Sequence, residues 1–236
     1  MLNSAVGYVK DVKSSANFTR ALVGLIKQPK TENIVEFLTQ YNANMNPKLR
    51  EAERAAMRKS PVIWQMVEAR HDPRPFNIDE MTHYAPGTLG HAYRQFMIAN
   101  GFFNPDFVPT VDGADECGIF SRRMAQTHDL WHVVTGYKTD LLGEFGNAGF
   151  YMGQFHAHGG EDAHVLMRLS ATLVAAASLY AALFDLVLCR KALASVVEGW
   201  HMGQKAKPLF ALHWEGMWDR PLNDICNELE VVPVAA

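Results

Sequence analysis

Cysteine is scarce in this chain. Only Cys117, Cys189 and Cys226 occur in 236 residues, and none forms a CxxC pair. An odd number at such separations argues against a disulfide framework or a cysteine zinc site, and it suits a reducing compartment. Positive charge is not in excess: 22 Lys and Arg face 25 Asp and Glu, for a net charge of -3. No nucleic-acid partner is therefore expected. The opening MLNSAVGYVKDVK lacks the apolar stretch of a secretory signal, so none is expected there. Long hydrophobic runs are missing too. The most apolar segment, LSATLVAAASLYAALF at 169–184, is closed off by Arg168 and Asp185. It falls short of the roughly 20 apolar residues that a membrane-spanning helix needs. The expectation is a helix buried in the core, with a lipid-facing surface as the alternative. Runs of alternating polarity are absent as well. Val108 to Val111 and Glu230 to Val234 are short, and Pro109 and Pro233 interrupt them.

What is present reads as helix. Apolar residues recur at helical spacing at Val35, Leu38 and Tyr41, and again at Tyr93, Phe96 and Met97. LGHAYRQFMIA at 89–99 is predicted to be a helix ended by Asn100-Gly101, and Asn104-Pro105-Asp106 starts the next loop. The proline-marked segment 71–87 is the best candidate boundary, setting N-terminal helices (1–70) apart from a core at 85–230. The expected fold is all-α: one helical domain, 1–236, of about ten helices, with a long apolar central helix.

The chemistry concentrates in THDLWHVVTGYKTDLLGE, residues 127–144. His128 and His132 are four apart, so they share a helix face with Cβ atoms about 5–6 Å apart. Asp129 flanks that face. Glu144 lies twelve residues beyond His132, about 18 Å away in a straight helix. It joins the others only if the chain turns. Gly136 can take the left-handed conformation that ends a helix, and Thr139 or Asp140 can cap the next one. Two imidazoles and two carboxylates would then suit zinc, iron or another first-row divalent metal. The competing reading is a polar helix rim, since HDxxH alone is a short pattern. His71 and Asp72 repeat the HD dipeptide, but Pro73 prevents a helical HDxxH. His156, His158 and His164, around Gly159-Gly160, read as a polar loop and helix start rather than as a second metal site.

His128, Asp129, Leu130, Trp131, His132 and then Glu144 resemble the mark of the ubiquinone biosynthesis protein 4 family, HDxxH followed after eleven residues by Glu. GTLGHAYRQFM (87–97) and WHMGQKAKPLFALHWEGMWDRPL (200–222) are similar to two further family segments. The resemblance covers roughly residues 85–230. It implies an all-helical fold and a bound divalent metal, zinc first, on His128, Asp129, His132 and Glu144. It also implies C1-decarboxylation, oxidative or not, of a polyprenylated 4-hydroxybenzoate derivative. Family members are peripheral membrane proteins that also organise other ubiquinone-pathway proteins. That implies the cytoplasmic membrane face in a bacterium and the matrix side of the inner membrane in mitochondria, with a homodimer left open.

A prenyl tail needs an apolar groove. The 169–184 helix and Phe150, Tyr151 and Phe155 are candidates, although plain core is the simpler account of the aromatics. Lys205 and Lys207 could attract a substrate carboxylate or an anionic lipid surface, against ordinary solvated lysines at a helix end. Two other classes compete. One is a His-Asp phosphohydrolase using His91 and Asp185. The other is a lipid-binding scaffold in which the metal only clamps two helices.

Overall fold

The computed structural model describes residues 12–27, 36–37, 40–41, 46–71, 74–102 and 115–234. Among these there are helices and no strands, with one isolated bridge between Thr88 and Pro221. The helices are α1 (Val12–Lys27), α2 (Pro47–Lys59), α3 (Pro61–Ala69), α4 (Leu89–Ala99) and α5 (Glu116–Thr135). They continue with α6 (Leu141–His158), α7 (Ala163–Leu166), α8 (Arg168–Phe184), α9 (Leu186–Lys205) and α10 (Leu222–Glu228). Two 3-10 helices, Ile78–His83 and Trp214–Gly216, join them, and the described residues 36–37 and 40–41 are helical as well. The expected all-α class holds. Val35, Leu38, Asp72, Pro73, Asn104-Pro105-Asp106 and Val108 to Val111 lie outside the described residues.

Local chemistry sets the helix ends. Asn46 caps α2 by accepting from the Lys48 amide, and Ser60 caps α3 by accepting from Ile63, each with proline next in the chain. Thr88, Asp115, Asp140 and Asp185 cap α4, α5, α6 and α9 in the same way. Each such bond satisfies an otherwise orphaned amide and stabilises its helix by about 1 kcal/mol. α4 ends at Asn100, as its sequence predicts.

The main core gathers Met57, Ile63, Leu89, Leu130, Trp131, Phe150, Leu209, Trp214 and Ile225, all fully buried. Phe76, Ile78 and Met81, from the proline-marked segment, belong to it. A smaller cluster of Ala21, Leu25 and Phe37 sits under α1.

The most extensive helix contact is α6 against α9. Gly149 faces the Val196 carbonyl, Gly199 faces the Gly146 carbonyl, and Gly203 faces the Phe150 carbonyl. A Cβ at any of these would strike backbone, so glycine is what lets the two helices approach so closely.

The apolar run at 169–184 departs from expectation. In α8 only Ala176 and Ala181 are buried, while Leu179, Leu183 and Phe184 are exposed. The exposure continues through Leu186, Val187, Leu193 and Val197 on α9. Leu169 and Leu173 pack on the smaller cluster and alanines take the buried positions, while the later leucines face outward, so this helix is neither central nor a core helix. The central positions belong to α5 and α6.

Candidate metal centre

α5 carries His128 and His132 on its last two turns. It ends at Gly136, which adopts φ 77° with its amide bonded to the His132 carbonyl. A non-glycine residue in that left-handed conformation would be strained, and the Val234 carbonyl lies over the position of any added Cβ. Asp140 then caps α6 by accepting from the Gly143 amide. Thr139, the other candidate cap, instead donates to Asn100 Oδ1. The chain therefore reverses, and Glu144, on the first turn of α6, meets the histidines.

The separations are short. His128 Nε2 lies 3.2 Å from His132 Nε2. Glu144 reaches His128 Nε2 at 3.5 Å and His132 Nε2 at 3.4 Å. The two contacts use different Glu144 oxygens, Oε2 and Oε1, and one donor atom from each residue lies within 4.8 Å of the others, close to the roughly 3.3–3.6 Å that a tetrahedral ion with bonds of about 2.0–2.2 Å requires. His132 Nδ1 sits 3.0 Å from the Tyr137 carbonyl oxygen. A carbonyl only accepts, so Nδ1 carries the proton and donates, leaving the Nε2 lone pair turned toward the cluster. The His132 side chain is 0% exposed, whereas those of His128 and Glu144 are 41% and 34% exposed. The donor set is thus rooted in the core and open on one side.

Aromatic rings wall it. Phe96 stacks on His132, and Tyr151 lies between His128 and Trp131, 4.0 Å from the latter. Burial pushes the Tyr93 and Tyr151 hydroxyls up, so both stay protonated at neutral pH. Asp129 is not one of the three converging donors. Burial raises its carboxyl against the pull of His128 and His132. Without an ion, burial opposes charge on His128, yet Glu144 overrides this and pushes the imidazole up to about 9. Burial likewise works against the Glu144 carboxylate, but contacts with both histidines hold it well below the usual range.

The remaining candidates fall elsewhere. Phe150 and Phe155 are core residues, and Phe155 stacks on Phe210. Lys205 is exposed at the end of α9, and Lys207 donates to the Glu228 carbonyl. His91 lies on α4 outside the donor trio, and Asp185 is spent as the α9 cap. The expected loop and helix start hold at 159–162 and at His164 in α7, but α6 continues through His158, so His156 and His158 are helical rather than in the loop. His156 lies against Trp200 and His158 contacts the Ala206 carbonyl. Sequence reasoning passed over the Tyr137 carbonyl and Phe96. Phe96 carried a usable signal, since it shares an apolar helix face with Tyr93.

A family model described as coenzyme Q (ubiquinone) biosynthesis protein Coq4 matches residues 9–235. The chain belongs to this family. It is similar to the mitochondrial ubiquinone biosynthesis protein COQ4 homolog of Aedes aegypti, at 26% identity over 196 residues covering 75% of this chain and 62% of that one. Its similarity to the mitochondrial ubiquinone biosynthesis protein COQ4 of Lachancea thermotolerans is 25% over 162 residues, covering 66% and 45%. The chain thus spans about half of the length of these Coq4 relatives. A crystal structure of a candidate ubiquinone biosynthesis protein from Nostoc punctiforme matches the fold with a TM-score of 0.70, covering 91% of this chain and 97% of that one at 23% identity.

Proposed function

We propose that this Coq4-family chain acts in ubiquinone biosynthesis as a metal-dependent lyase, removing the C1 carboxylate of a polyprenylated 4-hydroxybenzoate derivative. The observation that carries this reading is the convergence of His128, His132 and Glu144 at 3.2–3.5 Å, open on one side. When bound, zinc or another first-row divalent metal supplies Lewis acidity toward a ring carboxylate or phenol oxygen. His128, His132 and Glu144 hold it, and the Tyr137 carbonyl keeps the His132 ring in register. Loss of CO2 breaks the bond between ring and carboxylate and leaves its electron pair on the ring carbon, where a proton must arrive. Asp129, half-buried beside the trio, is assigned to move that proton or to orient His128. An oxidative version would require oxygen and a redox metal in the same trio.

The same reading places the prenyl tail along α8. A groove of about 770 Å³ there is lined by Leu22, Leu49, Ala171, Ala175 and Leu179. No helix among the described residues is long and apolar enough to cross a membrane. The exposed α8–α9 hairpin, Leu183, Phe184, Leu186 and Val187, is followed by exposed Arg190 and Lys191. Apolar side chains beside cations suit a peripheral membrane surface, where other pathway proteins or a second copy would meet the chain.

One observation favours a second reading. The donors bridge α5 and α6 across a turn, so an ion would also staple two helices, as a scaffold requires. Glu144→Gln separates the two. Cells carrying it in place of the wild type should accumulate a prenylated intermediate that keeps its carboxylate, while the purified variant melts normally. Normal quinone levels would reject the lyase, and collapse of the fold along with the metal would favour the clamp.

A further inference from the structure

A second group of potential ligands lies apart from the first. His71 follows α3, while His213 and Glu215 flank and form the 3-10 turn Trp214–Gly216. One nitrogen from each imidazole and one Glu215 oxygen lie within 4.8 Å of one another. The two rings stack with centroids 5.7 Å apart.

These donors converge without bonding to each other. His213 Nε2 is 3.9 Å from Glu215 Oε2, beyond hydrogen-bond range. His71 Nε2 is shielded from solvent and has no hydrogen-bond partner among the described residues. Such orphaned nitrogens are uncommon in folded proteins and call for an explanation. Glu215 is held in place from behind: Arg123 is buried and donates Nη1 to Oε1 at 2.7 Å and Nη2 to Oε2 at 3.0 Å. That fork fixes the carboxylate, and each oxygen keeps a further lone pair.

We propose that His71, His213 and Glu215 form a second site for a divalent first-row cation, at the edge of the neighbouring cleft. Imidazole and carboxylate together suit Zn²⁺, Co²⁺ or Ni²⁺. His213 is 68% exposed, so its side chain can rotate toward the other two donors. Glu215 lines a cleft of about 580 Å³ together with His83, Tyr84, Thr88, Trp218 and Asp219. Arg123 already neutralises the carboxylate, so the bound ion keeps net positive charge toward that cleft. Its remaining positions take water or an oxyanion such as a carboxylate.

The test is a metal count on the full chain, stripped with chelator and titrated with Co²⁺ under absorption and with Zn²⁺ in a calorimeter. The wild type should bind two equivalents. His213→Ala, at an exposed position, should leave the melting temperature unchanged and weaken one equivalent by roughly 100-fold or more. His71→Gln should weaken the same one. Glu144→Gln should remove the other equivalent and spare this one. A single wild-type equivalent that Glu144→Gln abolishes overturns the second site and leaves the first intact. A second equivalent that survives both His213→Ala and His71→Gln is surface binding, and also overturns it. A single equivalent lost in His213→Ala but kept in Glu144→Gln supports this site and removes the first.

Discussion

The Nδ1 nitrogen of His132 lies 3.0 Å from the carbonyl oxygen of Tyr137, five residues further along the chain. The turn that brings Glu144 back thus also fixes the histidine tautomer that Glu144 meets. Tyr137 O can do this only because Gly136 bends the backbone between them.

Gly136→Ala should accordingly damage fold and site together. Alanine at φ 77° is strained by about 1–2 kcal/mol, and its Cβ would press on the Val234 carbonyl. The expected outcome is a lower melting temperature and weaker Zn²⁺ binding in the same variant, read by calorimetry. A variant that melts lower but binds Zn²⁺ as tightly as the wild type would separate the turn from the site.

Metal affinity should rise with pH. Without an ion, the contact with Glu144 raises His128 to about 9, so below that pH an incoming cation must displace its proton. Affinity should climb by about tenfold per pH unit between roughly 6 and 8 and level off above 9. The metal-free protein should show the opposite trend. A raised folded-state value contributes stability fully below the unfolded histidine range, near 6.5, and loses it as pH rises through about 9. The depressed Glu144 contributes above its ordinary range, near 4.5, and its share is lost in acid. Metal-free melting temperatures should therefore peak between roughly 4.5 and 6.5 as far as this pair is concerned. Glu144→Gln should flatten both limbs.

Arg123→Lys should destabilise despite keeping the charge. The guanidinium bonds both Glu215 oxygens, the Leu212 carbonyl and Gln126 from a buried position, and lysine cannot reproduce that fork. Urea unfolding should show a loss of about 3 kcal/mol. Unchanged stability would mean that the network adds little.

Phe184→Glu combined with Leu183→Glu should leave melting unchanged, because the two side chains are 73% and 67% exposed. Binding to vesicles rich in anionic lipid should fall by at least about tenfold. Equal vesicle binding would dismiss the hairpin as the contact.

Local features were legible in the sequence. Asp140 and Gly136 announce the turn, and the spacing of His128, His132 and Glu144 poses a problem that only a turn solves. Features set by distant partners were not. The alanine-rich composition of α8 does not say which side faces the protein, and a leucine there looks buried until Leu179 and Leu183 are placed. The Arg123–Glu215 pair joins residues 92 positions apart, with no periodicity to signal it. His71 and His213 meet for the same non-local reason.

The glycine seam between α6 and α9 reaches further than packing. α6 also bears Glu144, so a helix locked backbone to backbone along its length cannot slide or swivel to deliver its acid group. The proposed third ligand is consequently parked before any ion would arrive, and capture would cost little ordering entropy.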